Sequence, residues 1–269
     1  MHDAAEFTET LWAYYAKHGR DLPWRQTADP YKIMVSELML QQTQVPRVIP
    51  KYQKFLSTFP TIHALADAPL SQVLGVWSGL GYNRRAKYIH QAAQVIARDW
   101  HGVIPPDVNQ LQQLPGIGHN TAAAIVVYAF NQPEYFIETN VRTAYIHHFF
   151  ADADDVADKD IMPLLKQTLD TEQPREFYWA LMDYGSHIKA TVGNRARASR
   201  HYQKQSPFEG SLRQVRGRII KALIDAPQTT NQLKQTIPDP RIVAVLEALI
   251  TEGHRARQRH LPLSGRNGS

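Results

Sequence analysis

Apolar residues recur along most of this chain at intervals of three and four, the spacing of one face of an α-helix. Strict alternation, the mark of strands, is scarce. The pattern predicts helices over Ala4–Ala16, from Pro30 to about Gln44, and over Ile62–Ala66, Leu70–Ser78, Arg84–Trp100 and Val108–Leu114. It continues with Asn120–Phe130, Val141–Phe150, Lys159–Thr168 and Glu176–Lys189. Asp29-Pro30 is a helix start, with Asp as N-cap and Pro at the first helical position. Short turns of Pro, Gly, Asn and Asp separate the segments.

Near Gly193 the composition shifts. Arg195, Arg197, Arg200, His201 and Lys204 follow closely, then Ser206-Pro207. Residues 196–210 read as a basic linker between a helical domain (1–195) and a small module (211–262). Helical patterns at Arg213–Ile224, Thr229–Thr236 and Pro240–Glu252 give that module a winged-helix-like layout, with a basic wing over Gly253–Leu261. Residues 263–269 read as a disordered tail. The fold class expected is all-α.

Composition narrows the chemistry. The 269 residues contain no cysteine, which excludes disulfides, thiolate nucleophiles and Cys-ligated zinc or iron–sulfur clusters. The longest apolar run, Ala122–Phe130, is far below the roughly 20 residues of a membrane span. No signal region opens the sequence, so a cytoplasmic protein is expected. A net charge of +5 biases mildly towards polyanions. The histidines lack metal-ligand spacing, and no metal site is expected.

Two glycine pairs and two carboxylates carry the candidate chemistry. Leu114-Pro115-Gly116-Ile117-Gly118 joins two helical patterns, and the helix after it presents free N–H groups. That is either a phosphate site or an ordinary connection. Gly79-Leu80-Gly81-Tyr82-Asn83-Arg84-Arg85 also joins two helices. Tyr82 there is either a wedge between bases, with the arginines near phosphate, or a buried turn residue. Glu37 has Ile33, Met34, Leu40 and Gln41 as helical neighbours. An apolar setting raises a carboxyl pKa and suits a general acid; a capping or salt-bridged Glu is the bland alternative. Gln41, Gln42, Thr43 and Gln44 form a polar cluster able to read base edges. Glu138 precedes a helix, either as a second carboxylate of a pocket or as a dipole partner where Thr139 or Asn140 is the cap.

In this order, the segments resemble the helix-hairpin-helix (HhH-GPD) DNA glycosylases, most closely the MutY-type adenine glycosylases. The stretches are Leu22–Arg25, Asp29–Lys32, Ser36–Val45, Gly79–Tyr82, Leu114–Gly118 and Ala180–Gly185, within about residues 5 to 190. The resemblance implies two helical subdomains with a cleft between them, and a base-excision enzyme acting on a flipped base in double-stranded DNA. It implies Glu37 as the acid, with Glu138 and Asn140 beside the sugar. Trp24, Arg25, Gln41 and Asp183 would form the base pocket. Gln42, Thr43, Tyr82, Arg84, Gly116, Gly118, His119, Asn120 and Thr121 would meet DNA, possession of a monovalent cation at the hairpin being a further implication.

The chain departs from the family in three ways. Glu138 stands where the family places Asp. The four-cysteine cluster loop expected after Lys189 is replaced by the basic run. The C-terminal domain that reads 8-oxoguanine gives way to the small module. Asn120 occupies the position of the nucleophilic Lys of the endonuclease III group, so a glycosylase without lyase activity is expected. Adenine opposite guanine or 8-oxoguanine is the leading substrate. A mismatch or damaged-pyrimidine glycosylase and a non-catalytic DNA-binding regulator are the alternatives. A monomer is expected.

Overall fold

The computed structural model describes residues 3–204 and 207–251. The described residues are helical, with no strand and one isolated bridge, between Val156 and Ser199. The helices are α1 (Ala4–His18), α2 (Pro30–Leu40), α3 (Val45–Thr58), α4 (Ile62–Asp67), α5 (Leu70–Trp77), α6 (Arg84–Asp99) and α7 (Val108–Leu111). Then come α8 (His119–Phe130), α9 (Thr139–Phe149), α10 (Asp158–Thr168) and α11 (Pro174–Thr191). The C-terminal module holds α12 (Leu212–Asp225), α13 (Thr230–Thr236) and α14 (Ile242–Thr251).

Helices α2 to α8 pack on one another as one group, and α1 packs with α9, α10 and α11 as a second. The apolar stripe of each helix faces a core continuous through both groups. The groups meet where α8 touches α11, and this seam carries the candidate site.

The apolar pattern located nearly every helix, with one clear failure. The helix from Pro30 was expected to reach about Gln44. It stops at Leu40, and a separate helix, α3, begins at Val45. Pro46 and Pro50 hid α3. Pro46 sits in the first turn, where a missing N–H costs nothing. Pro50 forfeits one backbone bond on the solvent side, an interior-Pro penalty of about 3 kcal/mol. Val48, Tyr52 and Phe55 bury completely or nearly so on the other side, each contributing roughly 1.5–3 kcal/mol, and their sum wins.

Val156 N–H donates to the Ala198 carbonyl (2.8 Å) and Arg200 N–H donates to the Val156 carbonyl (2.9 Å). Ala196 and Ser199 are buried, and Arg200 pairs with Asp155. The first residues of the stretch read as a linker, 196–200, are therefore docked on the helical domain. The absent cluster does not fit this segment, which has no thiol to hold iron.

The module has its own small core of Val215, Ile219, Ile220, Leu233, Ile237, Ile242, Val245 and Leu249. Thr229 and Gln232 form a reciprocal capping box on α13. Ile224 joins the module to the main core, packing over Gly75 of α5. The wing over 253–261 and the tail over 263–269 lie outside the described residues.

Candidate active site

Asp29 caps α2 by accepting from Tyr31 N–H (2.9 Å), and Pro30 opens the helix. Tyr31, Ile33, Met34, Val35, Leu38 and Met39 bury around the helix, which has almost no solvated face. Glu37 is half-buried among them, facing the seam. Burial first, and then the charge of Glu138, push its carboxyl from 4.5 to about 8. Among the described residues it forms no ion pair. The salt-bridged alternative thus fails, and the surroundings of Glu37 favour its protonated form.

Glu138 comes to this carboxyl from the second helix group. It is itself the N-cap of α9, as its place just before a helix allows, and not the dipole partner of a cap on Thr139 or Asn140. Its Oε1 accepts from Asn140 N–H at 2.7 Å. Burial raises the Glu138 pKa, while backbone N–H groups of Asn140, Val141 and Thr139 oppose that rise. The short extended segment before α9 is held by α8: Asn120 Nδ2 donates to the Ile137 carbonyl (2.8 Å) and His119 Nε2 meets the Tyr135 carbonyl (3.1 Å). Gln41 Nε2 donates to Thr121 Oγ1 (3.2 Å), tying α2 to the same helix. The side chains of His119, Asn120 and Thr121 thus brace the site.

Asn140 Nδ2 approaches Met182 Sδ at 3.6 Å. Close packing of α11 on α9 needs Gly185, where a Cβ would stand 2.3 Å from the Asn140 carbonyl oxygen. A mid-helix glycine inside Ala180–Gly185 was the available signal for this contact.

Tyr128 was missed in the sequence. It is buried on α8, and burial together with the charges of Glu37 and Glu138 pushes its phenol well above the ordinary value. Its ring stacks on Trp179 (6.2 Å, 18°), and the Arg25 guanidinium lies 5.4 Å over Trp179. A hydroxyl inside the otherwise apolar run Ala122–Phe130 could have marked it.

Arg25 and Asp183 form a clamp. Arg25 donates Nη1 and Nη2 to the two Asp183 oxygens, both at 2.8 Å. Arg20 adds Nε (2.6 Å) and its backbone N–H (2.8 Å). Asp183 is 3% exposed and its carboxylate is saturated. Trp24, in the 3-10 turn Pro23–Arg25, is buried edge-on to Tyr52.

Two loops project beside the site. Gln42 is exposed with φ +55°, and Tyr82 is half-buried with φ +48°. The left-handed region costs a non-glycine residue roughly 1–2 kcal/mol. Such strain persists where surroundings enforce it, often at functional sites. Arg85 is the enforcer. Its Nη1 donates to the carbonyls of Leu38, Met39 and Gln41, and its Nη2 to Thr43 Oγ1 and the Gly81 carbonyl. The expectation of both arginines near phosphate is corrected for Arg85, which is buried; burial lowers its pKa to about 10. Arg84 is exposed.

At the hairpin, Gly116 has φ +77°, and a Cβ would collide with Tyr88 at 2.6 Å. Gly118 is open, and no side chain caps α8. The first N–H groups of α8 are therefore available to an anion.

Comparison with known proteins agrees with this geometry. Residues 35–174 match the model of the HhH-GPD superfamily base excision DNA repair proteins. The chain is 38% identical over 187 residues to the adenine DNA glycosylase of Buchnera aphidicola subsp. Baizongia pistaciae, covering 68% of this chain and 52% of that relative. It is 36% identical over 236 residues to the adenine DNA glycosylase of Mycobacterium tuberculosis, covering 79% and 77%. Among solved structures, a thermostable thymine-DNA glycosylase superposes with a TM-score of 0.64 at 25% identity, covering 72% of this chain and 90% of the other.

Proposed function

The chain belongs to the HhH-GPD superfamily of base excision DNA repair proteins, and on that premise we propose that it is an adenine DNA glycosylase without lyase activity. Its substrate is a duplex carrying adenine opposite guanine or 8-oxoguanine. The observation that carries this reading is the pairing of Glu37, in an apolar setting, with Glu138 in the seam, an environment that favours the protonated form of Glu37.

The target base leaves the stack and enters the seam. Glu37 gives its proton to a ring nitrogen of the base, which departs with the electron pair of the glycosidic bond. The sugar is left as an oxocarbenium ion. Glu138, whose negative form is supported by backbone N–H groups at the start of α9, lies close to that charge. Water adds to the sugar carbon, and its proton passes to the Glu37 carboxylate, which restores the acid. Two carboxyls whose environments separate their roles are the requirement of such chemistry. Tyr128 and Trp179 supply aromatic walls, and the Arg25–Asp183 clamp holds Trp179 in place.

The N–H groups of α8 and the open Gly118 hold a DNA phosphate. Asn120 offers no amine for a Schiff base. The test is alkali-dependent strand cleavage on labelled duplexes holding adenine opposite guanine or 8-oxoguanine, thymine and uracil opposite guanine, and oxidised pyrimidines. Glu37→Gln and borohydride trapping run alongside. Adenine cleavage, lost in the variant and without a trapped adduct, is the expected result. Cleavage at thymine instead would move the substrate to the second reading, which the likeness to thymine-DNA glycosylase favours. A trapped adduct would overturn the monofunctional assignment.

A further inference from the structure

Two guanidinium groups meet the ring of Tyr82. Arg85, in the first turn of α6, places its guanidinium 5.4 Å from the Tyr82 ring centroid. Arg213 places its own 5.1 Å from the same ring, and its Nη1 also donates to the Tyr82 hydroxyl. Arg213 belongs to the first turn of α12, in the C-terminal module, 131 residues away in sequence. Ile224 on the same helix packs over Gly75 of α5, so α12 meets the Tyr82 loop at one end and the helix that precedes it at the other. Tyr82 meanwhile keeps a left-handed backbone that its own residue type disfavours. A ring met by two cations, on a backbone held by Arg85, has its direction fixed before anything binds.

We infer that the C-terminal module is a positioning element of the repair site, and that Arg213 is the residue through which it aims Tyr82 into duplex DNA. The inference deepens the glycosylase reading and rests on it for the nature of the target. Arg213 acts through the tyrosine. In this role it holds the ring and hydroxyl, rather than meeting a phosphate or reading a base. The module therefore speeds entry of Tyr82 into the stack, the step that lets the target base swing out.

The experiment uses the full chain and four variants: Arg213→Ala, Arg213→Lys, Tyr82→Ala and the Arg213→Ala/Tyr82→Ala double. Base extrusion is followed by 2-aminopurine fluorescence beside the target adenine, and excision under single turnover. Losing one cation–π contact and one hydrogen bond should slow extrusion and excision about tenfold in Arg213→Ala. Lysine, which keeps the cation over the ring, should recover most of that. The double variant should be no slower than Tyr82→Ala, because a positioning residue has no effect once its object is gone. The salt slope of duplex binding should not change, whereas loss of a phosphate contact would reduce it by about one.

Additive losses, a smaller salt slope or an Arg213→Ala rate equal to the parent would each overturn the inference. A second readout needs no DNA: with fluorotyrosine at position 82, Arg213→Ala should move and broaden the fluorine resonance. An unmoved resonance also overturns the inference, even if the parent chain excises nothing, a failure that would strike the glycosylase reading. Should Arg213→Ala unfold the module, Arg213→Lys and Arg213→Gln carry the same comparison.

Discussion

Glu37 and Asp183 are both carboxylates withdrawn from water within one helical domain, and they have opposite surroundings. Asp183 takes four N–H donors from Arg20 and Arg25 and spends its charge on joining the N-terminal segment to α11. Glu37 meets apolar side chains and the like charge of Glu138, and no arginine offsets them. One spends its oxygens on arginines and holds the frame; in the other, burial and a like charge favour the protonated form. Burial alone does not distinguish an acid from a strut; the sign of the neighbouring charge does.

That contrast can be broken from either side. The largest effect expected is on Asp183→Ala, which strands two partly buried arginines. Unfolding free energy should fall by about 3–5 kcal/mol, read by denaturant titration. An unchanged midpoint would reduce the clamp to decoration. Glu37→Gln should act the other way round. Excision should fall by a factor on the order of 100 to 10,000, with the fold intact by circular dichroism, because removal of a general acid costs about that much.

The pH response sharpens the same point. The Glu37 carboxyl titrates near 8 in the fold and near 4.5 when unfolded, so the native state binds this proton more tightly. Native stability due to this group is highest below 4.5 and is lost as pH rises through 8. Excision should decline above pH 8 for the same reason. Glu37→Gln should gain melting temperature over the parent at pH 9 and show little difference at pH 5. A parent whose excision stays constant to pH 10 would remove Glu37 as the acid. The smallest effect expected is from Gly185→Ala. Its Cβ would press on the Asn140 carbonyl, and overpacking of this kind costs about 1–3 kcal/mol. Excision should suffer more than stability, since the displaced peptide belongs to the turn that holds Glu138.

Much of this was readable in the sequence, for local reasons. Helical period, the Asp29-Pro30 start and the glycine pairs are written in neighbouring residues, and the setting of Glu37 follows from positions one turn away. What escaped the reading depends on distant partners. The reach of α3 past Pro50 needs the tertiary burial of Tyr52 and Phe55. Arg84 and Arg85 look alike in the chain, yet one faces solvent and the other ties two loops together. Tyr128 gained its place only when α9 brought Glu138 beside it. The clamp on Asp183 spans 163 and 158 positions to its two arginines; the resemblance put Arg25 and Asp183 in one pocket, but nothing local to either residue announces their pairing or the part of Arg20 in it.

The pairing of Val156 with Ser199 has a consequence for how this molecule comes into being. The segment after α11 is closed by peptide groups and by the Arg200–Asp155 pair, bonds that every newly made chain already carries. With no cysteine in the chain, no thiol there can hold an iron–sulfur cluster, and peroxide finds no thiolate to attack. This closure is therefore indifferent to iron supply and to the oxidation of thiols.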